Sequence, residues 1–189
     1  NIPPSRSATN RTLMRALRHS ENPNTQNALF FSFPLLAITR LSNDQLSQLR
    51  LNLYPGFKSK TIDTLFTENL ESSLQEIFAE AEKAIAEDVN IIILSDRAMN
   101  SEKVAIPALL VVSALNQHLI RQGTRTKASL VIESGEVREV HHFAALIGYG
   151  VDAINPYLTF ATYKEALLDG SLTVSYEETV AKYIKGVTE

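Results

Sequence analysis

The chain has 189 residues, 44% of them apolar and 21% charged, enough to bury the core of one domain and too ordered a composition for wholesale disorder. A net charge of −3 argues against a general nucleic-acid binder, and the lack of any cysteine excludes a disulfide, iron–sulfur ligands or a cysteine nucleophile from this chain. The longest apolar run, IPALLVVSAL at 106–115, falls short of the roughly 18–20 residues of a membrane span and suits a buried helix.

Charge is uneven along the chain. Residues 1–27 hold Arg6, Arg11, Arg15 and Arg18 against Glu21 alone, leaving the remainder with a net charge of −6. An acid-poor, arginine-bearing start fits a transit peptide. A short solvated helix over 9–19 fits better, because Leu13, Met14 and Leu17 fall at helical spacing. The start at Asn1 and the end at KGVTE read as a fragment of something longer, or as a processed product. The polar stretch NPNTQN at 22–27 predicts a linker, and ALFFSFPLLAI at 28–38 is strongly apolar. Residues 41–50 predict a short helix capped by Ser42 or Asn43, followed by a Pro55-Gly56 turn.

From residue 60 the pattern becomes regular. A strand is predicted over 60–66, a helix over 68–88, and a buried strand over 90–95. A loop follows, then a helix with Pro107 in its first turn and Gly123 past its end. The next strand is expected over 128–134, a helix over 136–147 and a strand over 151–155. Helices over 159–168 and 176–187 close the series. Alternating strands and amphipathic helices predict an α/β fold of repeated β-α units with parallel strands, a partial β/α barrel or one open sheet.

Three features carry possible chemistry. Gly148 and Gly150 follow a helix and precede a strand, with Ala153 where a third glycine would stand; this is a helix end and a tight entry, not a dinucleotide loop. His141 and His142 point about 100° apart on a helix, which suits two structural histidines better than one metal. His118 is expected on the exposed side of its helix or at a partner contact. The predicted strand ends gather polar residues: Thr67 and Glu68, then Ser95, Asp96 and Arg97, then Glu133, Ser134, Gly135 and Glu136, then Asn155, Pro156 and Tyr157. Ligands in parallel α/β folds sit at those ends. The set has no nucleophile–base–orienter spacing. It reads foremost as a structural or interface network, with Asp96, Arg97, Glu133, Glu136, Arg138 and Glu139 as its charged members.

The linked motifs ILSDR, IPALL, HLIRQGTRT, ESGEVREVHHFAALIGYG and DAINPYL, within 93–167, resemble glutamate synthase. YPGFKSKTIDTLF at 54–66 and VAKYIKGVT at 180–188 resemble it too, so the likeness runs over about residues 35–188. The resemblance implies the later part of the central domain, similar in topology to a decayed piece of a β/α barrel. That domain lies between a glutamine amidotransferase domain and an FMN-binding synthase domain, which would be its partners. The parent enzyme it implies hydrolyses L-glutamine at a cysteine and passes ammonia through a tunnel. It then makes L-glutamate from 2-oxoglutarate with FMN and an iron–sulfur cluster. No catalytic, cofactor or metal residue of the family finds a match here. The implied role is a connector that holds the flanking domains in register, with residues 1–34 as an arm and linker and 35–189 as the β/α domain. The compartment implied is the cytoplasm, or a plastid. Two other readings stay open: a free-standing β/α enzyme or binding module that takes a phosphorylated ligand at the strand ends, and a regulatory module acting through the basic arm.

Overall fold

The computed structural model describes residues 40–52 and 56–188. The helix expected over 9–19, the linker at 22–27, the apolar run 28–38 and Pro55 lie outside the described residues. The first element, α1 (Asn43–Arg50), opens on a reciprocal capping box. Ser42 Oγ accepts from the Gln45 N–H at 3.2 Å, and Gln45 Oε1 accepts from the Ser42 N–H at 2.9 Å.

Residues 60–66, expected as one strand, form two: β1 (Ser59–Asp63) and β2 (Leu65–Phe66). The break is the buried Thr64. Its N–H donates to Ser95 O and its carbonyl accepts from Ile106 N, both at 2.8 Å. The chain thereby leaves the main sheet, and β2 pairs antiparallel with β4 (Val104–Ala105), which lies inside the segment expected as a loop. Helix α2 (Leu70–Ala86) starts at Asn69, whose Oδ1 accepts from Ser72 N at 3.0 Å, and buries Ile77, Ala81, Ala84 and Ile85 along one stripe. There follow β3 (Ile91–Ser95), α3 (Ala108–Arg121) and β5 (Ser129–Glu133). Pro107 sits at the cap of α3, one position before its first turn. The last elements are α4 (Val140–Gly148), β6 (Ala153–Asn155), α5 (Tyr157–Leu168) and α6 (Tyr176–Thr188).

Helix α4 begins four residues later than the periodicity of 136–147 predicts. Three amides of this stretch are drawn into loop contacts instead: Glu136 N donates to Ser134 Oγ, and Arg138 N and Glu139 N both donate to His142 Nδ1. Side chains that compete for backbone donors hold this stretch out of the helix.

The main sheet has the order β1-β3-β5-β6, and every pairing is parallel. Each unit adds its strand beside the last, and the sheet stays open. Strand alternation sends Ile62, Ile92, Leu94, Leu130, Ile132 and Ile154 to one face, where α2, α3 and α4 cover them with Ile77, Val112, Leu115 and Phe143. The opposite face carries Ile91, Ile93, Val131 and Ala153, packed against Leu41, Leu46 and Leu49. Among the described helices, α2, α3 and α4, with α6 packed on them through Tyr183 and Val187, thus lie on one side and α1 on the other. Leu41 N donates to Ile154 O at 2.7 Å at the outer edge of β6, while Ser59 Oγ of β1 donates to Leu49 O at 2.8 Å. The segment around α1 therefore straps the free face from one edge of the sheet to the other. Tyr183 of α6 makes edge-on contacts with Phe143, Phe160 and Tyr163 at 6.5, 6.3 and 5.6 Å, joining α4, α5 and α6.

Candidate functional site

The strand register puts Asp63, Ser95, Glu133 and Asn155 in one row at the carboxyl ends of the four parallel strands, on the face that α1 covers. Glu133 is the centre of this row and is fully buried. Arg50, the last residue of α1, meets it with both terminal nitrogens, at 3.3 Å to Oε1 and 2.5 Å to Oε2, while its Nε donates to Thr61 Oγ1 at 3.3 Å. Arg97 Nε donates to Glu133 Oε1 at 2.8 Å, and Ser95 Oγ donates to Oε2 at 2.5 Å. Burial pushes the Glu133 carboxyl up. The hydrogen bonds from Arg50 and Ser95 and the charges of Arg50 and Arg97 outweigh it and hold the group below its ordinary value. A carboxylate with both oxygens occupied in this way is a brace. It has no free lone pair aimed at a substrate proton.

Asp96 organises the neighbouring loop. Its Oδ2 accepts from Ser134 Oγ at 2.8 Å and from Gly135 N at 3.0 Å. Burial first, then the Asp96 charge, push the Tyr157 hydroxyl up to about 12, so it stays protonated as a donor. The Arg97 guanidinium lies over the Tyr157 ring, 4.3 Å from its centroid. Gly135 makes this closeness possible, because a Cβ there would stand 3.2 Å from Tyr157 Oη. Asn155 ties the row to the start of the strap: its Nδ2 donates to Leu41 O at 2.9 Å and to Asn43 Oδ1 at 3.1 Å.

The remaining candidates stand apart from this network. Glu136 Oε2 accepts from Ala108 N at 2.8 Å and so caps α3, where a negative charge suits the helix dipole. Arg138, Glu139 and His141 are exposed. His142 Nδ1 accepts two backbone N–H groups at the start of α4, at 3.1 and 3.4 Å, so the two adjacent histidines do different things. Among the described residues no group of three His, Asp or Glu side chains is placed to hold a metal. No described helix is long and apolar enough to cross a membrane.

His118 departs from its expected exposed position. Its ring stacks on Phe78 at 4.4 Å and its Nε2 lies 2.7 Å from Glu82 Oε1, so it packs between α2 and α3 within the chain. Two groups have no signal in local sequence. Arg50 lies 83 positions from Glu133, and only the folded strap brings them together. At the opposite end of the sheet, buried Arg125 donates to Asn116 Oδ1, Ala128 O, Gly150 O and Asp152 Oδ2 at 2.6–3.0 Å. This arrangement accounts for the second glycine of GYG. Gly150 has φ +118°, and a Cβ there would stand 2.4 Å from Asn116 Cγ.

The family model described as the glutamate synthase central domain matches residues 7–189. The glutamate synthase [NADPH] large chain of Bacillus subtilis is 58% identical over 149 residues, covering 79% of this chain and 10% of that protein. The ferredoxin-dependent glutamate synthase of Pyropia yezoensis is 44% identical over 53% of this chain and 7% of its own length. The glutamate synthase [NADH] of Schizosaccharomyces pombe is 34% identical over 70% of this chain and 7% of its own length. The chain spans a tenth or less of the length of these relatives.

Proposed function

Because the chain belongs to the glutamate synthase central-domain family, we propose that it serves a parent glutamate synthase as a non-catalytic connector. The parent makes L-glutamate from L-glutamine and 2-oxoglutarate. The connector holds the amidotransferase and FMN-binding domains in register and walls part of the path that ammonia takes between them. The parent works in the cytoplasm, or in a plastid.

The observation that carries this reading is Glu133. The most deeply placed charge at the strand ends spends both oxygens on Arg50, Arg97 and Ser95. A network of this kind fixes loops relative to one another, and fixed loops are what two separated reactions need of a shared support. FMN and an iron–sulfur cluster do not fit this chain. A cluster takes thiolates, and the chain has none. A flavin phosphate takes free backbone amides, but those of Gly135, Glu136 and Ala108 are already committed to Asp96, Ser134 and Glu136. The same commitment disfavours a phosphorylated ligand at the strand ends. Both groups are assigned to other domains of the parent.

The test uses the full-length parent polypeptide with Glu133→Gln. Glutamine hydrolysed per glutamate formed is measured beside thermal stability. Loosened register releases ammonia, so hydrolysis should run ahead of synthesis in a variant that still folds. An unchanged ratio in that folded variant overturns the connector reading.

A further inference from the structure

We propose that the rim around Arg97 docks a carboxylate-bearing, apolar-flanked segment from another domain of the parent polypeptide; this rests on the connector reading and names the face and its partner. Arg97 is engaged from behind only. Its Nε is held by Glu133 and its face lies on Tyr157, while half of the side chain, 49%, is exposed. Its two terminal nitrogens have no partner among the described residues. A guanidinium fixed along one edge and one face presents its remaining fork in a set orientation, and that fork matches a carboxylate. Glu133 takes one side of this guanidinium and shares its charge with Arg50, so the outward fork of Arg97 is not spent on it.

Exposed apolar side chains stand near Arg97 and Tyr157 in the chain. Met99, 55% exposed, is tied by its N–H to Asp96 O, and Leu158, 45% exposed, follows Tyr157 and reaches over Gly135. Beyond Glu136 a groove of about 280 Å³ opens between the starts of α3 and α4, lined by Leu109, Val137 and Leu146. The exposed Leu109, Leu110 and Val140 stand in the first turns of those helices, at the same end of the sheet. An apolar surface of this kind beside an oriented cation suits a protein segment better than a small anion. The relatives are ten or more times the length of this chain's match, so the remainder of such a polypeptide supplies the segment at high effective concentration.

A benzophenone amino acid placed at Leu158 in the full-length parent, with irradiation and peptide mapping, tests the assignment. The expected cross-link joins Leu158 to a segment outside this domain that carries Asp or Glu beside the linked residue. The same probe at Leu168, 82% exposed at the far end of α5, should not capture that segment. Arg97→Lys should remove most of the link. Because that change also disturbs Glu133, the acid found in the captured segment is changed separately to its amide, which should likewise remove most of the link. Four outcomes overturn the proposal: links confined to this domain, links to a second copy, a captured segment without an acid, or a link undiminished by the amide. The ratio of hydrolysis to synthesis, read on the same variants, reports on the connector reading separately. A link lost with an unchanged ratio keeps the docking surface and removes the register role.

Discussion

At Gly150 a single Cβ forces its surroundings to move. The φ of +118° strains any other residue, and the new atom would displace Asn116, which holds Arg125. Gly150→Ala should cost about 2–4 kcal/mol in a denaturant titration. Glu133 invites a different measurement. Glu133→Gln keeps the shape but removes the charge, and Arg50 and Arg97 keep access to water. The loss is therefore about 1–3 kcal/mol, below that of a stranded buried ion. Its carboxyl is held below its ordinary value, so its contribution is complete above about pH 4.3 and disappears as pH falls through the lowered value. Thermal unfolding from neutral to about pH 3 should show the native chain losing stability more steeply than the Gln variant. The sequence pointed to Glu133, Ser95 and Arg97 because they cluster at predicted strand ends. It could not point to Arg50 or to the Arg125–Asp152 pair, because nothing local records a partner 83 or 27 positions away.

At the scale of the element, β-branched runs and stripes of apolar residues made the four parallel strands and the helices readable before any coordinates. The errors share one cause. Thr64 and the loop at 134–139 obey hydrogen bonds made to distant or competing groups: Ser95 O and Ile106 N in the first case, Ser134 and His142 in the second. Periodicity contains no such information. The cap of α1, by contrast, was legible in LSNDQ and makes a clean test. Ser42→Ala should cost about 1 kcal/mol. Ser47→Ala, which removes only an exposed hydroxyl bonded to Asn43 O, should change stability little by the same measure.

For the molecule as a whole, order in space follows order in the chain on one face of the sheet, while the other face depends on a strap that arrives from the edge. The central strands β3 and β5 have neighbours on both sides and apolar cover above and below. The two-residue pairing of β2 with β4 has neither. Hydrogen exchange should therefore be slowest at Ile92–Leu94 and Leu130–Ile132 and fastest at Leu65–Phe66. The sheet's parallel, stepwise order was expected from the alternation of elements. The strap was not, because an eight-residue helix ahead of a β-α series gives no sign of which face it will cover.

The strap sets an order of assembly during synthesis. Leu41 N is bonded to Ile154 O, and Asn155 reaches Leu41 O across 114 positions. A ribosome delivers α1 before the four described parallel strands, yet its seat is complete only when β6 has emerged. The earliest described helix is thus fully fastened only after the four parallel strands have been made. Until then the face with Ile91, Ile93 and Val131 lacks Ala153 and the edge bonds by which β6 holds the start of the strap. Long-range closure of this kind slows folding more than it alters final stability.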